Sequence, residues 1–259
     1  MNLAKTFSDL KNKNEPALIL YYPAGYPDMD TSMENIKLLA EQGADIIEVG
    51  IPFSDPLADG PVIQYASSTA LANGATVAGV LARLPDLHIS KPLVLMSYLN
   101  PLESFGKACL GAAAAAAGIR GVIIPDCPVE HARSWESALE EYNIEMIYLT
   151  APNSSEERLQ MIAARSRGFI YAVSLTGVTG TTGSIPANRT VVSKLRGLTD
   201  TPIALGFGIS TPCQIQEAGR IADGVIVGSR LIDAVSEGED LADLVASFKQ
   251  AAVISRRCS

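Results

Sequence analysis

Cationic side chains, histidines and cysteines are scarce in this 259-residue chain, and each shortage excludes a class of function. Lys and Arg number 20 against 28 Asp and Glu, a formal net charge of −8. Nucleic-acid binding needs a Lys/Arg surplus to neutralise phosphates, so this balance argues against such a partner. The only adjacent basic pair near the end, Arg256-Arg257, is too short to change that. The four cysteines, Cys109, Cys127, Cys213 and Cys258, are scattered, form no C-x-x-C pair and lie near neither histidine. A zinc site is therefore not expected. At this density a disulfide framework is not expected either, and free thiols in a reducing cytosol are. No apolar run reaches the roughly 18 residues of a spanning helix. Residues 1–15 are rich in Lys and Asn and lack the apolar centre of a secretory signal. The expectation is a cytoplasmic protein with neither membrane nor nucleic acid as its partner.

The chain is rich instead in short apolar runs. Eight of them, at residues 17–22, 45–49, 92–98, 121–125, 145–150, 168–174, 202–206 and 224–228, read as strands. Helical patterns lie between them. Ala132, Trp135, Ala138, Leu139 and Tyr142 recur at helical spacing, as do Leu241, Leu244, Val245 and Phe248. Ser154-Ser155-Glu156-Glu157, Thr76 and Thr211-Pro212 read as helix starts. The Ala-rich stretch 112–117, bracketed by Gly111 and Gly118, reads as the closely packed end of a helix. Eight βα units without an interdomain linker predict a single-domain (β/α)8 TIM barrel over residues 1–259, with extra short helices. A doubly wound open sheet is the alternative. It is weakened because Ala24-Gly25-Tyr26-Pro27, rather than a G-x-G-x-x-G turn, follows the first strand.

Within the second apolar run one residue is out of place. Glu48 is a carboxylate inside a strand, and burying a charge costs several kcal/mol unless it is paired or used. The Pro- and Gly-rich loop after it carries Asp55 and Asp59. An acid on a strand end, with a stiff loop able to fold a second acid over it, suggests general acid–base chemistry. In the plainer alternative Glu48 points outward at the rim and the aspartates are turn residues.

A barrel gathers its functional residues at the carboxyl ends of its strands. There the chain places Gly206-Phe207-Gly208-Ile209-Ser210 and, leading straight into a helix, Gly228-Ser229-Arg230. Glycine lets backbone N–H groups approach an anion, and a helix N-terminus adds partial positive charge. Gly208, Gly228 and Ser229 therefore read as a phosphate cradle, with ordinary tight turns as the alternative. The loop 174–184 is all Gly, Thr and Ser at its centre and is either a closing lid or a plain surface loop. None of the eight lysines lies at the carboxyl end of an expected strand, which disfavours a Schiff-base aldolase. His88 precedes strand three and His131 opens a helix, so neither is placed as a base or a metal ligand. What is left is acid–base catalysis by carboxylates and a tyrosine, Tyr171, on a phosphorylated small molecule.

The run from Ile47 to Gln64, IEVGIPFSDPLADGPVIQ, closely resembles the signature of the tryptophan synthase alpha subunit family. The resemblance continues in order through Ala24-Gly25-Tyr26-Pro27, Asn100-Pro101, Pro125-Asp126-Cys127-Pro128, Gly177-Val178-Thr179-Gly180, Gly206-Phe207-Gly208-Ile209-Ser210 and Gly228-Ser229. It implies a barrel lyase that cleaves indole-3-glycerol phosphate to indole and glyceraldehyde 3-phosphate, needing neither metal nor Schiff base. By the same resemblance Glu48, Asp59 and Tyr171 are the catalytic residues. Gly180, Gly208, Gly228 and Ser229 bind phosphate, Tyr21, Tyr98 and Phe207 border the pocket, and Thr179 belongs to the lid. Asp55 and Asp126 face a partner, the beta subunit of an α2β2 complex. Pyridoxal phosphate is expected only in that partner, and no cofactor in this chain.

Three positions depart from the family pattern: Pro23 at the end of strand one, Leu99 before Asn100-Pro101, and Cys127. A stand-alone indole-3-glycerol phosphate lyase would carry the same site residues. A non-catalytic barrel that only activates a partner would have lost the two acids, and both are present.

Overall fold

The computed structural model describes residues 2–173, 185–206 and 208–255, with 185–187 as backbone only. Thr179, Gly180 and Phe207 lie outside the described residues. The described residues form nine parallel strands: β1 Ala17–Pro23, β2 Ile46–Gly50, β3 Leu93–Met96, β4 Ile119–Ile123, β5 Glu145–Ile147, β6 Leu149–Thr150, β7 Ile170–Val173, β8 Ile203–Gly206 and β9 Gly224–Val227. They neighbour one another in the order β5-β4-β3-β2-β1-β9-β8-β7-β6. The two ends of that order, β5 and β6, are pieces of a single extended segment interrupted at Tyr148. The sheet is thus closed through the chain itself, and the Tyr148 carbonyl accepts the Tyr171 N–H at 3.0 Å across the seam. Eight barrel strands and nine ladder segments describe the same (β/α)8 barrel, as the sequence predicts. Among the described residues twelve α-helices surround or extend it, and none is long and apolar enough to cross a membrane.

The strands read as continuous Val, Ile and Leu runs because both faces of a parallel sheet are covered. Every residue of β1, β2, β3, β8 and β9 is buried. The expected helix starts form. Thr76, Ser155 and Thr211 each cap a helix, and Thr211 with Gln214 makes a full capping box. The Ala-rich helix Lys107–Ala116 packs tightly, as expected: a Cβ on Gly111 would stand 2.4 Å from the Tyr142 ring. His131 falls in a short 3-10 turn, Val129–His131, before the helix Arg133–Glu140 rather than inside one continuous helix.

The two ends of the barrel differ. At the amino end the helix Leu3–Asn12, which no strong sequence signal announces, lays Leu3, Thr6, Phe7 and Leu10 inward. The Phe7 ring meets Phe169 at 5.8 Å, and Leu3 closes against Gly121 and Gly168. The same end is tied by Asp45, whose carboxylate accepts the Leu18 N–H at 2.8 Å and the Lys249 ammonium at 2.8 and 2.9 Å. That ion pair joins β1 and the start of β2 to the last helix, Leu241–Ile254. With one end plugged, a ligand must enter at the carboxyl end.

Asp45→Ala leaves a buried N–H and an ammonium without their acceptor. The expected loss of stability is about 2–4 kcal/mol, measured by urea unfolding, with the carboxyl-end site unchanged.

Candidate active site

Glu48 sits in the middle of β2, directly across from Tyr21 of β1 in the ladder register. It is 1% exposed, so it does not lie at the rim. Its side chain lines a cavity of about 750 Å³ together with Asp59, Tyr21 and Tyr171. Gly208, Gly228 and Ser229 line the other side of the same cavity. The structure thus brings together seven of the expected site residues, drawn from five strands of the barrel or the loops that follow them. A larger cavity of about 850 Å³ opens elsewhere, among Asn2, Arg120 and Glu145 at the amino ends of the strands. The chemistry argues for the smaller one, where the two out-of-place carboxyls converge.

Two glycines make the room. A Cβ on Gly50, the last residue of β2, would lie 2.3 Å from the Tyr21 hydroxyl. A Cβ on Gly206, the last residue of β8, would lie 2.4 Å from the Tyr171 hydroxyl. Each tyrosine ring therefore rests on a neighbouring strand end that has no side chain. In the sequence Gly50 follows the expected second strand and Gly206 closes the expected seventh, and neither is assigned this role; the signal is a glycine closing a strand beside one that carries an inward aromatic.

Asp59 arrives on the loop after β2, two residues before the helix Pro61–Ala72. Its Oδ2 accepts from the Tyr98 hydroxyl at 3.1 Å. Oε2 of Glu48 and Oδ1 of Asp59 are buried with no hydrogen-bond partner among the described residues. Burial first, and the negative field of Asp59 second, push Glu48 up to about 8. Burial pushes Asp59 up to about 6, against the lowering effect of the Tyr98 bond. Burial and the two carboxyls hold Tyr21 and Tyr171 well above the usual tyrosine range, so both keep their protons. At pH 7 this is one protonated acid and one carboxylate in a single cavity, the separation acid–base enzymes use.

Ser229 opens the helix Ser229–Glu237 and Gly228 is its N-cap, so free N–H groups and the helix dipole face the cavity end. Gly208 holds φ +71°, a left-handed conformation glycine adopts freely. Ser210 and Arg230, which the sequence reading did not assign, also line the cavity. Tyr98 does not line it: it stands behind Asp59. Asp55 and Asp126 lie outside it on exposed loops. Asp55 accepts from Ser54 Oγ at 2.5 Å, and Asp126 accepts the Leu99 N–H at 2.8 Å.

A closed barrel with two buried carboxyls and a glycine-rich helix start on one carboxyl-end cavity has the architecture of a barrel enzyme. The family model for the tryptophan synthase alpha chain matches residues 7–256. The tryptophan synthase alpha chain of Dehalococcoides mccartyi is 46% identical over 235 residues, 90% of this chain and 92% of that one. That of Geobacter sulfurreducens is 40% identical over 96% of this chain and 98% of its own length. A solved tryptophan synthase from M. tuberculosis superposes with a TM-score of 0.90 at 36% identity, covering 97% and 98% of the two chains. The tryptophan synthase subunit alpha of Legionella pneumophila gives 0.88 at 33%, with the same coverage. The chain belongs to the tryptophan synthase alpha chain family. Its activity is the alpha reaction of tryptophan biosynthesis, cleavage of indole-3-glycerol phosphate by a carbon–carbon lyase.

Gly206→Ala forces Tyr171 to move and is expected to cost about 1–3 kcal/mol in chemical unfolding. Gly197→Ala, where the added carbon meets only ordinary contacts at 3.4 Å and beyond, is expected to stay within about 0.5 kcal/mol.

Proposed function

We propose that Glu48 is the proton shuttle of the retro-aldol cleavage, with Asp59 and Tyr171 assisting. The observation that supports this most is the pair of carboxyls on one cavity, pushed to about 8 and about 6. Breaking the bond between indole C3 and the glycerol chain needs a sink for its electron pair. Protonating C3 makes one, because the ring becomes an indolenine cation. As the adjacent hydroxyl loses its proton and becomes the aldehyde carbonyl, the bonding pair returns to the ring and indole leaves. Protonated at neutral pH, Glu48 supplies the C3 proton. The carboxylate it becomes takes the hydroxyl proton, which restores the starting state. Asp59, charged at the same pH, accepts the indole N–H and offsets the positive charge on the ring. Tyr171 keeps its proton, borders the indole and relays a proton at that end.

The phosphate sits against Gly208, Gly228 and Ser229 at the helix start, with Gly180 completing the cradle. Tyr21 and Phe207 border the indole end, and Thr179 closes over it. The chain works with a beta subunit in an α2β2 complex in the cytoplasm. That partner holds the pyridoxal phosphate, receives the indole through a tunnel, and is signalled through Asp55 and Asp126. Supporting a partner at the mouth, Leu57 is 93% and Tyr65 65% exposed beside the Asp59 loop.

Activity requires Asp59 charged and Glu48 protonated. The acid limb of kcat/KM is therefore set by a group near pH 6, below which activity is lost. The alkaline limb is set by one near pH 8, above which activity is lost. The two apparent values belong to the pair, since the carboxyls interact. Glu48→Gln is expected to lower turnover at least about 10²-fold while phosphate binding, followed by calorimetry, persists. Indole release by the purified chain, alone and with a beta subunit added, tests the whole assignment. Slow release strongly accelerated by the partner supports it. Fast release with no response points to a stand-alone lyase, and no release in either case removes the catalytic role.

A further inference from the structure

We infer that Tyr98 is a positioning residue for Asp59, tying the loops after β2, β3 and β4 into one hydrogen-bonded unit. This deepens the acid–base mechanism proposed above and rests on it. Tyr98 follows β3 and is the N-cap of the helix Leu99–Phe105. Its ring is 5% exposed and lies 5.3 Å from the Phe53 ring. The hydroxyl is occupied on both sides: it donates to Asp59 Oδ2 at 3.1 Å and accepts the Ala58 N–H at 2.9 Å. A phenol has one proton to give, and here it goes to the acid. One residue along, the Leu99 N–H donates to Asp126 Oδ1 at 2.8 Å in the loop after β4. Three βα loops are thus joined in the order Asp59, Tyr98, Leu99, Asp126.

Tyr98 acts through Asp59, because it does not line the cavity that Asp59 lines. It fixes one carboxylate oxygen and leaves Oδ1 for a ligand. It also sets the charge. A donor favours the carboxylate over the acid, and here the Tyr98 bond opposes the upward push of burial. The titratable groups sharing Asp59's field are Glu48 from β2, Tyr21 from β1 and Tyr171 from β7, with Asp126 facing Tyr98 from behind. All are acidic groups. Among the described residues Asp59 has no ion-pair partner, and Tyr98 is its side chain's donor. Arg230, across the cavity, is paired with Glu239.

The experiment is a 13C NMR titration of the aspartate carboxyls in the wild type, Tyr98→Phe and Asp126→Ala, with Asp59→Asn to assign the signal. The pH profile of indole release is measured on the same proteins. In Tyr98→Phe the ring and its packing stay, and the Asp59 midpoint is expected to rise by about one pH unit. At pH 7 the charged fraction of Asp59 then drops to about one-half, so kcat is expected to fall about two-fold with KM little changed, and the acid limb should move up with the NMR midpoint. Asp126→Ala, which frees the Leu99 N–H, should shift the same midpoint in the same direction by less. An unmoved Asp59 midpoint in Tyr98→Phe overturns the inference. So does a lower kcat with an unmoved acid limb, which is what a merely structural role would give. If the wild type releases no indole, the acid–base mechanism fails, while the NMR titration still decides whether Tyr98 holds Asp59.

Discussion

A carboxyl group sealed inside the barrel is the constraint on which the rest of the structure depends. Glu48 occupies a position where a parallel strand would ordinarily carry Val or Ile. Taking its charge out of water is costly, and the cost appears as a raised proton affinity rather than as an ion pair. A second carboxyl must then be brought close without being sealed to the same degree. The loop after β2 does this, carrying Asp59 on a half-buried segment with a hydroxyl donor behind it. Two tyrosines complete the wall, and they fit because the neighbouring strand ends are glycines.

The barrel protects this arrangement by being asymmetric. Its amino end is filled by Leu3, Phe7 and Phe169 and fastened by Asp45 to Lys249. Its carboxyl end has loops, glycines and helix starts, which supply polar groups without a closed core. Stability and chemistry are therefore assigned to opposite ends, and change at one need not disturb the other.

The three departures from the family pattern fall beside the acids, not on them. Pro23 ends β1 opposite Gly50, where the following Ala24 N–H carries on the ladder. Leu99 contributes its backbone N–H to Asp126, which any residue but proline could supply. Cys127 is 6% exposed and packs into the core, where the family commonly carries Leu. None of the three lines the cavity holding Glu48 and Asp59.

Sequence alone determined the kind of fold and which residues were unusual. Eight apolar runs separated by helical patterns mark a closed parallel barrel, because each run must be covered on both faces. Glu48 was conspicuous because a carboxylate in such a run must be paired or used. Glycine-rich turns after β8 and β9 stand out for reasons of backbone geometry, and they line the same cavity as the acids. What could not be read was which side chains meet. The split of one strand at Tyr148, the helix Leu3–Asn12 as a plug, and the seat of each tyrosine on a glycine all join residues far apart in the chain. Tyr98 was placed by resemblance on the pocket wall, but the folded chain sets it behind Asp59. The proton affinities of the two acids were equally out of reach, since they depend on burial and mutual distance. Those are properties of the closed barrel, because only closure removes water from around Glu48 and brings the loop after β2 over it.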